Sequence, residues 1–263
     1  MMTGDRPVQE RDRGRLSPAN MGVTMRPRVT LHMMSSIDGR INTVGWPVSA
    51  DCDGAYEMLH RDLRSDAWLV GRVTMAEFAL GEVRPMLTDR IYPRQTWKAA
   101  AAGMAPYAIY LDRSGCLHLN RERVNGDALI AILTTNVSDD YIAELRRDGI
   151  SYIFAGDAEL DLHRALHILR TEFGIETILL EGGGAINGAF LRRDLIDEVS
   201  LLILPIADGK PGVPTTFDHN IAGARPLELI SVNILRGGLL HVRYQVMSAD
   251  HAPGGRAVAP PAS

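Results

Sequence analysis

Cysteine and lysine are both scarce: Cys52 and Cys116 are the two thiols, and Lys98 and Lys210 the two lysines, in 263 residues. Two scattered thiols make no disulfide framework, and no CxxC spacing is present to hold zinc. A reducing cytoplasm fits that usage. Basic excess is missing too. A formal net charge of -4 leaves nothing to neutralise a phosphate backbone, so no nucleic-acid partner is expected. No apolar run reaches membrane-spanning length, so no membrane association is expected either. The N-terminus lacks the apolar stretch of a secretory signal, and Asp5, Glu10 and Asp12 among its arginines argue against a transit peptide. HExxH and Gly-x-Ser-x-Gly frames are absent, as is any internal repeat. His163 and His167 stand four apart with no third ligand in view, which makes them a surface or packing pair and leaves no metal site.

What is present is ordinary globular material, 46% hydrophobic and 23% charged, with length enough for a substantial core. Residues 1–27 are polar and punctuated by Pro7, Pro18 and Pro27, and read as a disordered extension; the Ala/Pro/Gly tail over 249–263 reads likewise. One domain is expected over 28–248. Strands are expected at Val29–Met34, Ala67–Val70, Tyr107–Leu111, Leu129–Leu133, Tyr152–Phe154, Thr177–Leu180 and Val199–Leu204. Between them the pattern turns helical at Asp53–Leu63, after the N-cap Ser138 as far as Gly149, along the face Leu162, Ala165, Leu166 and Leu169 up to Gly174, and over Ala185–Arg193. Leu227–Leu235 and Leu239–Val246 form a hairpin turning at Gly237-Gly238. Such alternation predicts an α/β fold: a mostly parallel mixed sheet, helices on both faces, and an antiparallel hairpin at the end.

Three turns between a strand and a helix carry the chemistry. Glu181-Gly182-Gly183-Gly184-Ala185 bares main chain at a helix N-terminus, where a phosphate's charge is favoured. It is no Rossmann fingerprint, because Asn187 stands where the third glycine belongs, and no Gly-Lys-Ser/Thr follows to make a P-loop. Gly71-Arg72-Val73-Thr74 offers a guanidinium fork and a hydroxyl. Thr134-Thr135-Asn136 offers two hydroxyls and an amide, for capping or for a ribose phosphate. In open α/β sheets ligands sit at the carboxyl ends of strands, and three such turns can line one crevice.

In order and spacing these segments, with Ser35-Ser36-Ile37-Asp38-Gly39-Arg40, resemble the dihydrofolate reductase superfamily, most closely its riboflavin-pathway pyrimidine reductases, across roughly 28–247. The resemblance implies a dihydrofolate-reductase-like three-layer fold, a homodimer and NADPH-dependent reduction of a small heterocycle. The backbone near Met34 and Ile41 would face the nicotinamide. Arg72 and Thr74 would hold phosphates, with Gly71 opening that turn, and Thr134 or Thr135 would lie near the adenosine 2′-phosphate. Gly182, Gly183, Gly184 and Ala185 would wrap the pyrophosphate. Glu181 would face the substrate. Trp46, Ser49 and Asp51 lie in the family's substrate loop, and a proton could come from Asp51, Glu181 or water; Asp51 reads equally as a helix first-turn acid. Two departures bear on the substrate. Ala76-Glu77-Phe78-Ala79 stands where that branch has Asp-Asp-Pro, and the place of its phosphate-binding Arg falls on Asp62 or Leu63, between Arg61 and Arg64. A ribosylaminopyrimidine, a pterin, or no reaction at all on a retained nucleotide-binding scaffold are the readings left open.

Overall fold

The computed structural model describes residues 26–47, 50–100, 102–103, 106–218 and 224–247. In chain order the elements are β1 (Arg28–Ser36), α1 (Ala50–Asp62), β2 (Ala67–Gly71), α2 (Arg72–Ala76), β3 (Tyr107–Leu111), β4 (Arg123–Val124), β5 (Asp127–Leu133), α3 (Asp139–Arg147), β6 (Ser151–Phe154), α4 (Leu162–Phe173), β7 (Thr177–Leu180), α5 (Gly184–Arg192), β8 (Glu198–Leu204), β9 (Leu227–Ile234) and β10 (Leu240–Val246). The expected strands and helices are all present within a few residues.

The ten strands form one sheet in the order β4-β5-β3-β2-β7-β1-β8-β10-β9, with β6 also on β5. From β6 to β8 all pairings but that of β4 are parallel, and β10 and β9 add antiparallel at the edge. The central strands β2 and β3 are buried along their whole length, as near-continuous apolar runs require when both faces are covered.

Side chains alternate between two cores. Leu31, Leu69, Ile109 and Ile130 pack under α4 and α5. Trp68, Val70, Tyr110 and Leu129 pack under α2 and α3 on the opposite face, and Leu202 and Leu204 pack with Cys52, Ala55 and Leu59 of α1. The layering is therefore helix, sheet, helix.

Local signals set the helix ends. Ser138 caps α3 by accepting the Tyr141 amide, and Asp161 caps α4 through the Arg164 amide. Gly174 ends α4 in the left-handed conformation at φ 70°, where a Cβ would be costly. Arg26 makes a two-pronged pair with Asp197, both contacts at 2.8 Å, which ties the start of β1 to the β8 side of the sheet.

Candidate active site

Because the parallel strands run the same way, the turns after β1, β2, β5, β7 and β8 lie along one edge of the sheet. β2 and β7 are neighbours, so Gly71 and the triple glycine adjoin: a Cβ on Gly71 would strike the Ile186 side chain of α5. The three glycines differ in what demands them. A Cβ on Gly184 would run into the Thr215 carbonyl oxygen and Asp218, and one on Gly182 would crowd Ile186 and Asn187. Gly183 faces open space, with nothing within 4 Å of the position a Cβ would take. It is the N-cap of α5, and no side chain caps that nine-residue helix. Bare main chain, a helix N-terminus and unfilled space suit a pyrophosphate. Arg72 is exposed and makes no hydrogen bond or ion pair among the described residues, so its guanidinium is available beside that turn.

Two hollows flank the glycine turn. The larger, 460 Å³, lies over β2 between α1 and α2, walled by Tyr56, His60 and Arg61 of α1, Trp68 of β2, Thr74 of α2, and Glu181. Glu57 and Asp127 add carboxylates to its lining. The smaller, 270 Å³, lies between α4 and α5 on the other face; Ala185, Arg113, Arg192, Arg193 and Glu159 contribute to it. Glu181 thus opens one hollow and Ala185, four residues on, the other.

Glu181 is held on the wall of the larger hollow. Its amide donates to the Leu69 carbonyl, and its carboxylate accepts from His60 Nδ1 at 2.8 Å. Tyr56 and His60 are one helical turn apart on α1, so both face the carboxylate. The Tyr56 phenol donates to the His32 carbonyl at 3.2 Å, close enough to Glu181 to feel its charge. Burial, and then the Glu181 charge, push the Tyr56 phenol well above its ordinary range, so it stays a donor. The bond to Glu181 raises His60 above its ordinary value against a smaller opposing effect of burial, and Glu57 and Asp127 add to the rise.

Beneath Tyr56 lies a buried polar chain. The His32 ring stacks on Tyr56 with centroids 4.4 Å apart and planes 16° from parallel. Its Nδ1 meets Ser200 Oγ at 3.2 Å, and Ser200 Oγ meets His241 Nε2 at 2.8 Å. Burial drives His32 down to about 4 and lowers His241 as well. Both imidazoles are therefore neutral at ordinary pH.

The other expected site residues are placed as follows. Met34 ends up partly buried against the α1 cluster, as does Trp46, whose buried Nε1 has no partner among the described residues. Ile41 donates its amide to Pro214, and Arg40 and Gly39 are bonded to the same segment, so the loop after β1 is stitched to the loop after β8. Thr134 is buried, with its hydroxyl on the Arg113 carbonyl at 2.7 Å; Thr135 donates to Asp157 at 2.9 Å. Neither lines the two hollows described above, but Thr134 fixes Arg113, which lines the smaller. Asp51 falls in the first turn of α1, and its side chain lies outside the described residues, as does Ser49 altogether. Of the two arginines beside the missing phosphate ligand, Arg61 reaches the larger hollow; Arg64 follows the helix at φ 43°.

Sequence reasoning missed His60, Tyr56 and Arg113. The spacing of Tyr56 and His60 was visible, but it acquires meaning only once Glu181, 121 residues away, stands between them. Among the described residues no cluster of three or more His, Cys, Asp or Glu could hold a metal.

A three-layer α/β sheet with its cleft at the carboxyl edge and a terminal antiparallel hairpin defines a dihydrofolate-reductase-like protein. The chain belongs to the RibD C-terminal domain family, which it matches over residues 27–238. It is 29% identical over 213 residues to the 2,5-diamino-6-ribosylamino-4(3H)-pyrimidinone 5′-phosphate reductase of Methanothermobacter thermautotrophicus, a match spanning 78% of this chain and 92% of that one. The enzyme of the same description from Aquifex aeolicus is 27% identical over 199 residues, 72% of this chain and 82% of that one. In three dimensions the chain is similar to a pyrimidine reductase-like protein of Corynebacterium diphtheriae, with a TM-score of 0.62, 19% identity, and 84% and 92% of the two chains covered.

Proposed function

We propose that this protein is an NADPH-dependent reductase of a ribosylaminopyrimidine 5′-phosphate, of the kind acting in riboflavin biosynthesis. One observation carries the reading: Glu181 lies in the wall of a 460 Å³ hollow and directly precedes the glycine turn that can seat a pyrophosphate. When bound, the reduced nicotinamide supplies a hydride. The chain's own residues bind, orient and exclude water. Gly183, Gly184 and Ala185 receive the pyrophosphate, with Arg72 and Thr74 beside them. Glu181 accepts hydrogen bonds from amino or ring N–H groups of the heterocycle, and His60 fixes its orientation. Arg61 is our candidate for the substrate phosphate, in place of the arginine that the resembling branch carries elsewhere.

NADPH over NADH is supported by charge. Three guanidiniums and one carboxylate line the smaller hollow, which favours an extra phosphate at the adenosine end. We further infer a homodimer formed through β9. That terminal strand exposes Leu229 at 55%, Val232 at 51% and Ile234 at 79%, and an open apolar edge strand is a ready pairing surface. A cytoplasmic setting, where reduced dinucleotide is at hand, goes with this reading.

The test is turnover. Purified protein is given NADPH and a panel of ribosylaminopyrimidine 5′-phosphates and pterins, and loss of nicotinamide absorbance is followed. Consumption with the pyrimidines is the expected result. Tight NADPH binding with no consumption on any compound would instead establish a nucleotide-binding protein without chemistry.

A further inference from the structure

The hydride step leaves a proton unaccounted for. Reduction of a C=N group moves the π electron pair onto nitrogen as carbon takes the hydride, and that nitrogen must gain a proton. Glu181 faces the hollow, but its carboxylate is already engaged by His60 Nδ1. The Tyr56 phenol spends its one proton on the His32 carbonyl. His32 is buried and is not part of the hollow's lining. His60 differs from all of these. It lines the hollow, its side chain is 27% exposed, and its single hydrogen bond among the described residues uses Nδ1, on Glu181. Nε2 has no protein partner there.

We propose that His60 is the proton donor of the reaction, its imidazolium held by Glu181 and discharging through Nε2 to the substrate nitrogen as the adjacent carbon is reduced. The inference rests on the reductase reading above. The step balances: the N–H bond of the imidazolium breaks, a new N–H bond forms on the substrate, and neutral imidazole stays on Glu181 until solvent reprotonates it. The groups around His60 favour the charged ring. Glu181 comes from the end of β7, Glu57 from α1 itself and Asp127 from β5, and all three stabilise the cation. Arg61 on α1 also lines the hollow, and His32 on β1 is held neutral beneath. A positioned acid with its titration near working pH accelerates such a step by about 10²- to 10⁴-fold.

Two measurements test the assignment. The first uses the free protein: NMR titration of the His60 ring in wild type and in Glu181→Gln. A midpoint above the ordinary histidine value in wild type, falling in the variant, supports the proposal; an unchanged midpoint in the variant overturns it. The second compares pH profiles of kcat for wild type and His60→Gln with NADPH and the best pyrimidine. We expect kcat to drop at least about 100-fold, NADPH affinity to hold, the alkaline limb of the profile to vanish and added imidazole to restore part of the rate. An active wild type whose His60→Gln variant keeps both kcat and the alkaline limb overturns the proton-donor role and leaves the reductase reading standing. A wild type that binds NADPH but reduces nothing overturns the reductase reading, and the role falls with it.

Discussion

The two hollows beside the glycine turn are made of opposite chemistry. The one over β2 is walled by groups that titrate or hold titrating neighbours: Glu57, Glu181, Asp127, His60 and Tyr56. The one between α4 and α5 is lined by aliphatic side chains and by Arg113, Arg192 and Arg193, whose charge is permanent. A single sheet edge therefore presents one end whose behaviour follows pH and another whose behaviour follows ionic strength. That division suits a reaction in which protons move at one end of a dinucleotide and phosphates are merely gripped at the other.

The sharpest way to break the contrast is at Glu181. Glu181→Gln keeps a hydrogen-bond acceptor but removes the charge, and we expect kcat/KM to fall on the order of 10³-fold with NADPH affinity nearly intact. Equal losses in both would mean that the two ends are not separate.

Next comes the buried chain beneath Tyr56. His32 is held near 4 in the folded protein and is near 6.5 when unfolded. A group whose folded value is depressed gives stability that is complete above the unfolded value and lost as pH falls towards the folded one. Unfolding free energy should drop by about 3 kcal/mol between pH 6.5 and 4 from this group alone. Denaturant titrations across that range check it, and His32→Gln should flatten the slope.

The glycines separate packing from binding. Gly184→Ala meets the Thr215 carbonyl and Asp218, and should lower stability by about 2 kcal/mol in thermal or denaturant unfolding. Gly183→Ala meets nothing within 4 Å, so stability should hold while dinucleotide affinity falls. If both variants lose only stability, the turn is a packing feature and not a pyrophosphate seat.

The smallest effect concerns Arg113, which lines the smaller hollow. Arg113→Ala should weaken NADPH by about tenfold more than NADH, on the order of 1.4 kcal/mol, and raised salt should erode NADPH binding more steeply in wild type than in the variant. Equal weakening of the two dinucleotides would remove that hollow from 2′-phosphate recognition.

Much of the fold was legible along the chain because its signals are local. Apolar period placed the strands and helices, Ser138 and Gly174 marked helix ends that the structure also shows, and Gly237-Gly238 marked the hairpin turn. β4 escaped notice, since two residues, Arg123–Val124, cannot show a period. The start of α1 was set three residues late, at Asp53 against Ala50, because Gly54 and the preceding loop residues carry no helical signal. Thr134 and Thr135 were legible as hydroxyls at a strand end, but not as hydroxyls already spent on Arg113 and Asp157.

From residue order alone came the alternation of strands and helices, the bare glycine turn and the guanidinium that follows Gly71, all consequences of contacts within a few residues. Strand order decided the rest. By setting β7 between β2 and β1, it brought Glu181 to His60 and Tyr56 and stacked His32 beneath them. Residues far apart in the chain become partners only when the sheet is assembled, and no local preference records who the partner will be.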